Sequence, residues 1–122
     1  MANILYPLHV AIQVSSLEKA EAFYSHIVGL KKVNRQLTFP GTWYQIGEFQ
    51  LHLIVSDWAT NPNREAKWGR HPHITFAIDD LDQVKLDLTK QQVPFQMSSS
   101  GRAALFVKDP DGNTIELLQV KS

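Results

Sequence analysis

Cysteine is absent from the 122 residues. That rules out disulfides and thiolate metal sites, so any bound ion would be held by imidazole, carboxylate or water. A charge excess is absent too: twelve Lys and Arg balance twelve Asp and Glu, and neither sign forms a long run. Without a basic patch there is no electrostatic footprint for nucleic acid or an anionic membrane. No uninterrupted apolar segment approaches the ~20 residues that span a bilayer. Met1 to Leu8 lacks the basic start and apolar stretch of a signal peptide. The expectation is a cytoplasmic protein with neither a nucleic-acid nor a membrane partner. With 43% apolar and 20% charged residues, the chain is near globular norms and large enough for one domain with a real core.

What the chain does contain is its own pattern, twice. Leu8-His9-Val10-Ala11-Ile12 returns 64 positions later as Pro72-His73-Ile74-Thr75-Phe76. At the same interval Gln50-Leu51-His52-Leu53-Ile54-Val55 returns as Thr114-Ile115-Glu116-Leu117-Leu118-Gln119. Few identities survive; the repeat is one of pattern. Leu8, Val10, Ile12 and Val14 alternate with His9, Ala11 and Gln13, the period of a half-buried strand. Ser15 and Glu18 have capping-box spacing. Leu17, Ala20, Phe23 or Tyr24, Ile27 and Val28 then recur at helical intervals up to Gly29, a helix stop. Lys31 to Phe39 reads as a strand ended by Pro40-Gly41. Thr42 to Ile46 and Phe49 to Val55 read as two more, joined by a tight turn at Gly47-Glu48.

The second half runs the same way. A strand starts at His73, and a helix over Leu81 to Gln92 turns Leu81, Val84, Leu88 and Leu86 inward. Pro94 opens a strand, Ser98 to Gly101 is a loop, and Ala103 to Val107 with Thr114 to Val120 forms a terminal hairpin. Its Asp109-Pro110-Asp111-Gly112 connection is a turn rather than a phosphate loop, because flanking aspartates would repel an anion. One domain over 1–122 is expected, with module one at about 7–56, a linker over 57–70 and module two at about 71–120. The linker is polar but carries Trp58 and Trp68. It either pins a long connection to the body or forms a lid over a pocket.

Alternation also sets His9, His52, His73 and Glu116 opposite the bulky apolar residues of their strands. Their companions Ala11, Gln13, Thr75 and Ala77 are small or polar and leave room for something other than side chains. Three imidazoles and a carboxylate converging in a concave sheet suit a divalent first-row ion, whether Ni, Zn, Fe, Co or Mn. A site with few protein ligands and water in the open positions is a catalytic arrangement. A lone strand histidine is more often an ordinary hydrogen-bonded residue; recurrence in register is what lifts these four as a set. His71 shares the face of His73 as a spectator or replacement, and His26, without a matching partner, reads as solvated.

Arg102, just after Ser98-Ser99-Ser100-Gly101, is a candidate for holding a substrate carboxylate by bidentate hydrogen bonds, or else a surface arginine. Trp43, beside Tyr44 in a mid-sheet strand, lines the pocket or belongs to a core or interface. Gln13 and Thr75, next to the candidate ligands, are candidates for touching substrate or orienting a ligand.

The two strand-helix-three-strand units and the openings Leu8-His9-Val10-Ala11-Ile12 and His73-Ile74-Thr75-Phe76 resemble the vicinal oxygen chelate superfamily. So does the ending Phe106-Val107-Lys108-Asp109-Pro110-Asp111-Gly112-Asn113-Thr114-Ile115-Glu116-Leu117. That group holds glyoxalase I, extradiol dioxygenases, fosfomycin-resistance enzymes, methylmalonyl-CoA epimerase and bleomycin-resistance proteins. The likeness runs from about Leu8 to Val120. It implies an α+β fold in which two tandem βαβββ modules form a U-shaped mixed sheet around a metal. The ligands would come from the first and fourth strands of each half: His9, His52, His73 and Glu116. It also implies a homodimer. The chain departs from glyoxalase I at His52, where that enzyme usually has a carboxylate or glutamine. Extradiol and fosfomycin enzymes have sites of two histidines and one carboxylate, and bleomycin-binding relatives usually lack the ligand set. Gly41-Thr42-Trp43-Tyr44-Gln45-Ile46-Gly47, His52 and Ser100-Gly101-Arg102 are also similar to glyoxalase-like proteins of plants and bacteria.

The expected activity is that of a metal-dependent lyase or isomerase of glyoxalase type, acting on a small carbonyl or hydroxy-carbonyl substrate through metal-stabilised enolate chemistry. Glu116, the only carboxylate in the set, is the first choice for the proton-moving base and His52 the second. The alternatives are an iron-dependent extradiol-type dioxygenase, which would consume oxygen, and a non-catalytic small-molecule binding protein, which would hold no stoichiometric metal.

Overall fold

Strand β1 (His9–Val14) leaves His9, Ala11 and Gln13 exposed while Val10 and Ile12 are half-buried and Val14 is buried. That is the alternation its sequence carries. The computed structural model describes residues 2–35, 40–57, 59 and 66–120. The chain divides into two compact units, Met1–Thr60 and Asn61–Ser122. In the first, β1 is followed by helix α1 (Leu17–Glu21), which continues as a π-helix over Ala22–Val28, and then by β2 (Lys31–Val33), β3 (Gly41–Ile46) and β4 (Phe49–Val55). The sheet order is β1-β4-β3-β2, with β1 and β4 parallel and the other pairs antiparallel.

The second unit opens with one 3-10 turn at Trp68–Arg70. It continues through β5 (His73–Ile78), α2 (Leu81–Lys90), β6 (Phe95–Met97), β7 (Ala104–Lys108) and β8 (Thr114–Gln119). Its sheet order, β5-β8-β7-β6, repeats the first, again with the outer strand and its neighbour parallel. Register repeats as well: His9 pairs with Gln50, and His73 with Thr114. The fold is therefore α+β, one βαβββ module built twice. No helix among the described residues is long and apolar enough to cross a membrane.

In each unit one face of the sheet is apolar and is covered by the helix. Leu51, Leu53 and Tyr44 are fully buried in the first, with Ala20, Phe23 and Tyr24 supplied by the helical segment. The leucine and phenylalanine side chains among them each stabilise the fold by about 1.5–3 kcal/mol on the area scale. Two polar ties fix the helix across β3: Thr42 Oγ1 donates to Glu21 Oε2 at 2.6 Å, and the Ser25 and Tyr44 hydroxyls meet at 2.9 Å. In the second unit Leu105, Val107 and Ile115 are fully buried and Leu88 nearly so, and the Leu81 N–H donates to Gln119 Oε1 at 2.7 Å.

Several boundaries differ from the spacing rules. The N-cap of α1 is Ser16 rather than Ser15: its backbone is extended, as a cap requires, and its Oγ accepts from the Lys19 N–H at 3.3 Å. Gly29 ends the helical segment in the left-handed region, at φ 89°, and its N–H and that of Leu30 both reach the Tyr24 carbonyl. Leu86 is 56% exposed, since five residues on from Leu81 it lies on the far side of a 3.6-residue turn. Helix α2 closes at Lys90, two residues short of Gln92, and β8 at Gln119. Among the described residues, the strand read from Lys31 to Phe39 is paired over Lys31–Val33. Its last four residues, like Trp58 and Asn61-Pro62-Asn63-Arg64 of the linker, lie outside the described residues.

Candidate functional site

The sheet face away from the helix carries the candidate residues in each unit. In the first, β4 sets His52 between Ala11 of β1 and Trp43 of β3. The Trp43 indole stacks on the His52 imidazole, with centroids 3.9 Å apart and planes 11° apart, and turns an edge to His9 at 5.2 Å. Trp43 thus gathers both histidines of this half. Arg35 places its guanidinium 3.9 Å from the indole centroid and donates to Gln50 Oε1 at 2.9 Å. Gln13 shares the face of His9 and Ala11, paired with Ile54.

His52 is buried, 6% exposed, and its pKa is lowered from the ordinary 6.5. Desolvation is the main cause, followed by the neighbouring His9 and the Arg35 cation. All three disfavour an imidazolium, which leaves the neutral ring that a metal ligand or a base must be. A Cβ at Gly41 would come within 2.5 Å of the Leu53 carbonyl oxygen and 3.4 Å of His52 Nε2, so the close approach of β3 to β4 beside this ring requires glycine.

In the second unit β8 sets Glu116 between Thr75 of β5 and Phe106 of β7. The carboxylate is 1% exposed. Thr75 Oγ1 donates to its Oε1 at 2.7 Å and Arg102 Nη2 to its Oε2 at 3.0 Å, while His73 Nε2 lies 3.0 Å from Oε1. The tautomer of His73 follows from its other nitrogen. Nδ1 stands 2.7 Å from the His71 carbonyl, which can only accept, so Nδ1 carries the proton. Nε2 then faces the Glu116 carboxylate either with a second proton or with a lone pair. Something positive, a proton or a cation, must lie between them. Phe106 turns its edge to His73 at 5.4 Å; it occupies the register place of Trp43 and repeats its contact with the first histidine.

Each unit therefore brings its own predicted ligands together, His9 with His52 and His73 with Glu116. Among the described residues no three His, Asp or Glu side chains form one metal-holding group. The donors are nitrogen and carboxylate oxygen, the chemistry that suits a divalent first-row ion, so the residues fit the group their pattern implies. Thr75 and Arg102 bond the candidate base directly. His71 is buried with Nδ1 3.1 Å from Thr114 Oγ1, and His26 is exposed on its helix. Arg35, Phe106 and the His71 carbonyl went unnoticed in the sequence. Phe106 falls 63 positions after Trp43, one short of the 64-residue repeat, so the repeat does not pair them. A backbone carbonyl leaves no sequence signal.

Duplicated βαβββ units with histidine and carboxylate on the helix-free face define a class of small paired-module proteins. The model of the Glyoxalase/Bleomycin resistance protein/Dioxygenase superfamily matches residues 7–117, and the chain belongs to that superfamily. It is 29% identical to the lactoylglutathione lyase of Neisseria meningitidis serogroup A, over 94% of this chain and 91% of that one. It is 28% identical to human mitochondrial methylmalonyl-CoA epimerase, over 91% of this chain and 72% of that one. A solved glyoxalase family structure from Bacillus anthracis superposes with a TM-score of 0.79 at 27% identity, covering 99% of this chain and all of the other.

Proposed function

We propose that the chain is a metal-dependent lyase or isomerase of glyoxalase type, a cytoplasmic homodimer acting on a small carbonyl or hydroxy-carbonyl compound. The observation that carries this reading is the His73–Glu116 contact, which brings an imidazole nitrogen to 3.0 Å from an oxygen of a buried carboxylate. His9, His52, His73 and Glu116 are the proposed ligands. A divalent ion (nickel, zinc, iron, cobalt or manganese) would serve as a Lewis acid toward neighbouring substrate oxygens and stabilise the negative charge that develops as a proton leaves carbon.

The remaining work belongs to the chain. Glu116 takes the proton from the carbon beside the carbonyl and delivers it to the neighbouring position. While three groups hold it, both its oxygens are occupied, so it acts only after one lets go. Arg102, with its side chain 53% exposed, is the partner able to swing away. Thr75 then keeps one oxygen oriented, and Phe106, in contact with His73, keeps water off the reacting carbon. His52, held neutral by burial, is the second choice of base. Gln13 is left to position the far end of the substrate.

Glu116→Gln should retain most of the bound metal and lose about 10²–10⁴-fold in rate. The rate to follow is deuterium wash-in at the carbon next to the carbonyl, measured by NMR across a panel of small hydroxy-ketones. Full exchange in the variant would remove Glu116 as the base. Oxygen uptake with catechols would replace the lyase with a dioxygenase. Protein purified without an affinity tag and found free of stoichiometric metal would leave only a binding protein.

A further inference from the structure

Wholly within the second unit, and adjoining the His73–Glu116 pair, is a hollow of about 220 Å³. Lys67, Arg70 and Arg102 line it, together with the hydroxyls of Ser98 and Ser100 and the ring of Phe106. No Asp or Glu is among its lining residues. Three cationic side chains thus bring N–H donors to one small space, Arg102 while also bonding Glu116, and such donors suit an oxyanion.

The hollow is built rather than incidental. The Gln96 side-chain amide clasps the backbone of the segment that bears Lys67: its Oε1 accepts from the Trp68 N–H at 2.7 Å and its Nε2 donates to the Ala66 carbonyl at 2.9 Å. Gly69 lies so close to Phe106 that a Cβ there would come within 2.8 Å of the ring. Lys108 sets its ammonium 4.8 Å from the Trp68 ring centroid. Arg102, which also lines the hollow, is oriented by bonds from Nε to Ser100 Oγ at 3.1 Å and from Nη2 to Glu116. A guanidinium carries five donors, so with these two engaged it has others to offer.

We propose that this hollow is the anchor for an oxyanion at one end of the substrate, a carboxylate or a phosphoryl group. Its volume is below the roughly 300–1,000 Å³ of sites that enclose drug-sized ligands. It therefore encloses a headgroup with a few atoms attached and no more of a ligand than that. Arg102 and Phe106 border both the hollow and the His73–Glu116 pair, which sets the charged end a few bonds from the reacting carbon. The substrate class is a short carbonyl or hydroxy-carbonyl compound with an anionic terminus. The inference rests on the proposed reaction for what that carbon undergoes, but anion capture itself does not need the reaction.

The test uses chelator-treated protein, titrated at constant ionic strength with inorganic phosphate or with malonate and referenced to chloride. The readout is the amide NMR shifts of Ser98, Ser99, Ser100, Gly101 and Arg102. Saturable shifts are expected, with Lys67→Ala and Arg70→Ala each weakening binding about tenfold through loss of a charge-assisted contact, and Lys67→Arg restoring it. Tighter phosphate assigns a phosphoryl end, and tighter malonate a carboxylate. Shifts that track ionic strength alone, or variants that bind like the parent, overturn the anchor. Saturable binding without any turnover by the metal-loaded enzyme would keep the anchor and remove the reaction. Turnover of uncharged hydroxy-ketones with no anion binding would do the reverse.

Discussion

His52 is where single-residue physics is most exposed to test. Its imidazole is stacked under Trp43, buried, and near both His9 and Arg35. The ring's folded-state pKa therefore lies below the 6.5 of the unfolded chain. In the window below 6.5 the unfolded state binds the extra proton, so stability rises with pH there and is lost as acid charges the buried ring. Melting temperatures of chelator-treated protein should fall as pH drops through that window, and fall less steeply in His52→Gln. Equal slopes in the two proteins would place the acid sensitivity elsewhere. Alternation of apolar and polar residues was enough to place His52 and Glu116 on the face away from the helix, because a strand's period of two leaves no choice of face. It could not disclose that an indole stacks on one, or that a backbone carbonyl two residues before His73 chooses that ring's tautomer. Those depend on neighbours brought in by other strands.

Among the elements, the β7–β8 turn has the clearest physical reason for its sequence. Asp109 is 4% exposed, and its Oδ1 accepts from the N–H groups of Asp111 and Asn113, at 2.9 and 2.8 Å. Its Oδ2 accepts from Asn113 Nδ2 at 2.9 Å. Gly112 takes the left-handed conformation at φ 86° and its N–H returns to the Asp109 carbonyl at 3.0 Å, closing the turn. The carboxylate thus organises the hairpin whose second strand carries Glu116. Asp109→Ala should destabilise the protein by about 2–4 kcal/mol, since hydrogen bonds to a charged group contribute roughly 1.5–3 kcal/mol each and the abandoned N–H groups are only partly reached by water. Asp109→Asn, which keeps an acceptor, should lose about half as much. Urea denaturation reads both, and equal losses would mean the charge, not the acceptor geometry, holds the turn. The same local chemistry made most elements readable from residue order. Turn glycines and period-two runs marked β3, β4, β7 and β8, while the cap moved by one residue because Ser15 and Ser16 both qualify by composition and only backbone conformation chooses between them.

For the whole molecule the consequence of duplication is that each unit owns a core and half of the proposed ligand set. The repeat in register was legible because β1 and β5 align at one interval with β4 and β8. The difference between halves was not, since Trp43 and Phe106 match at an interval one residue shorter. Two ligands are too few to hold a divalent ion tightly: structural sites use four and catalytic ones three. If the four act together, chelator-treated protein should take up one divalent ion per chain in a titration, followed by calorimetry. His9→Ala in one unit and His73→Ala in the other should each weaken that uptake by more than the roughly 10–100-fold that loss of an outer hydrogen-bond partner costs a ligand. Independent half-sites would behave differently. They would bind two weak ions per chain, and each variant would silence one while leaving the other at its original affinity. That pattern would dissolve the common centre and leave two unrelated polar faces.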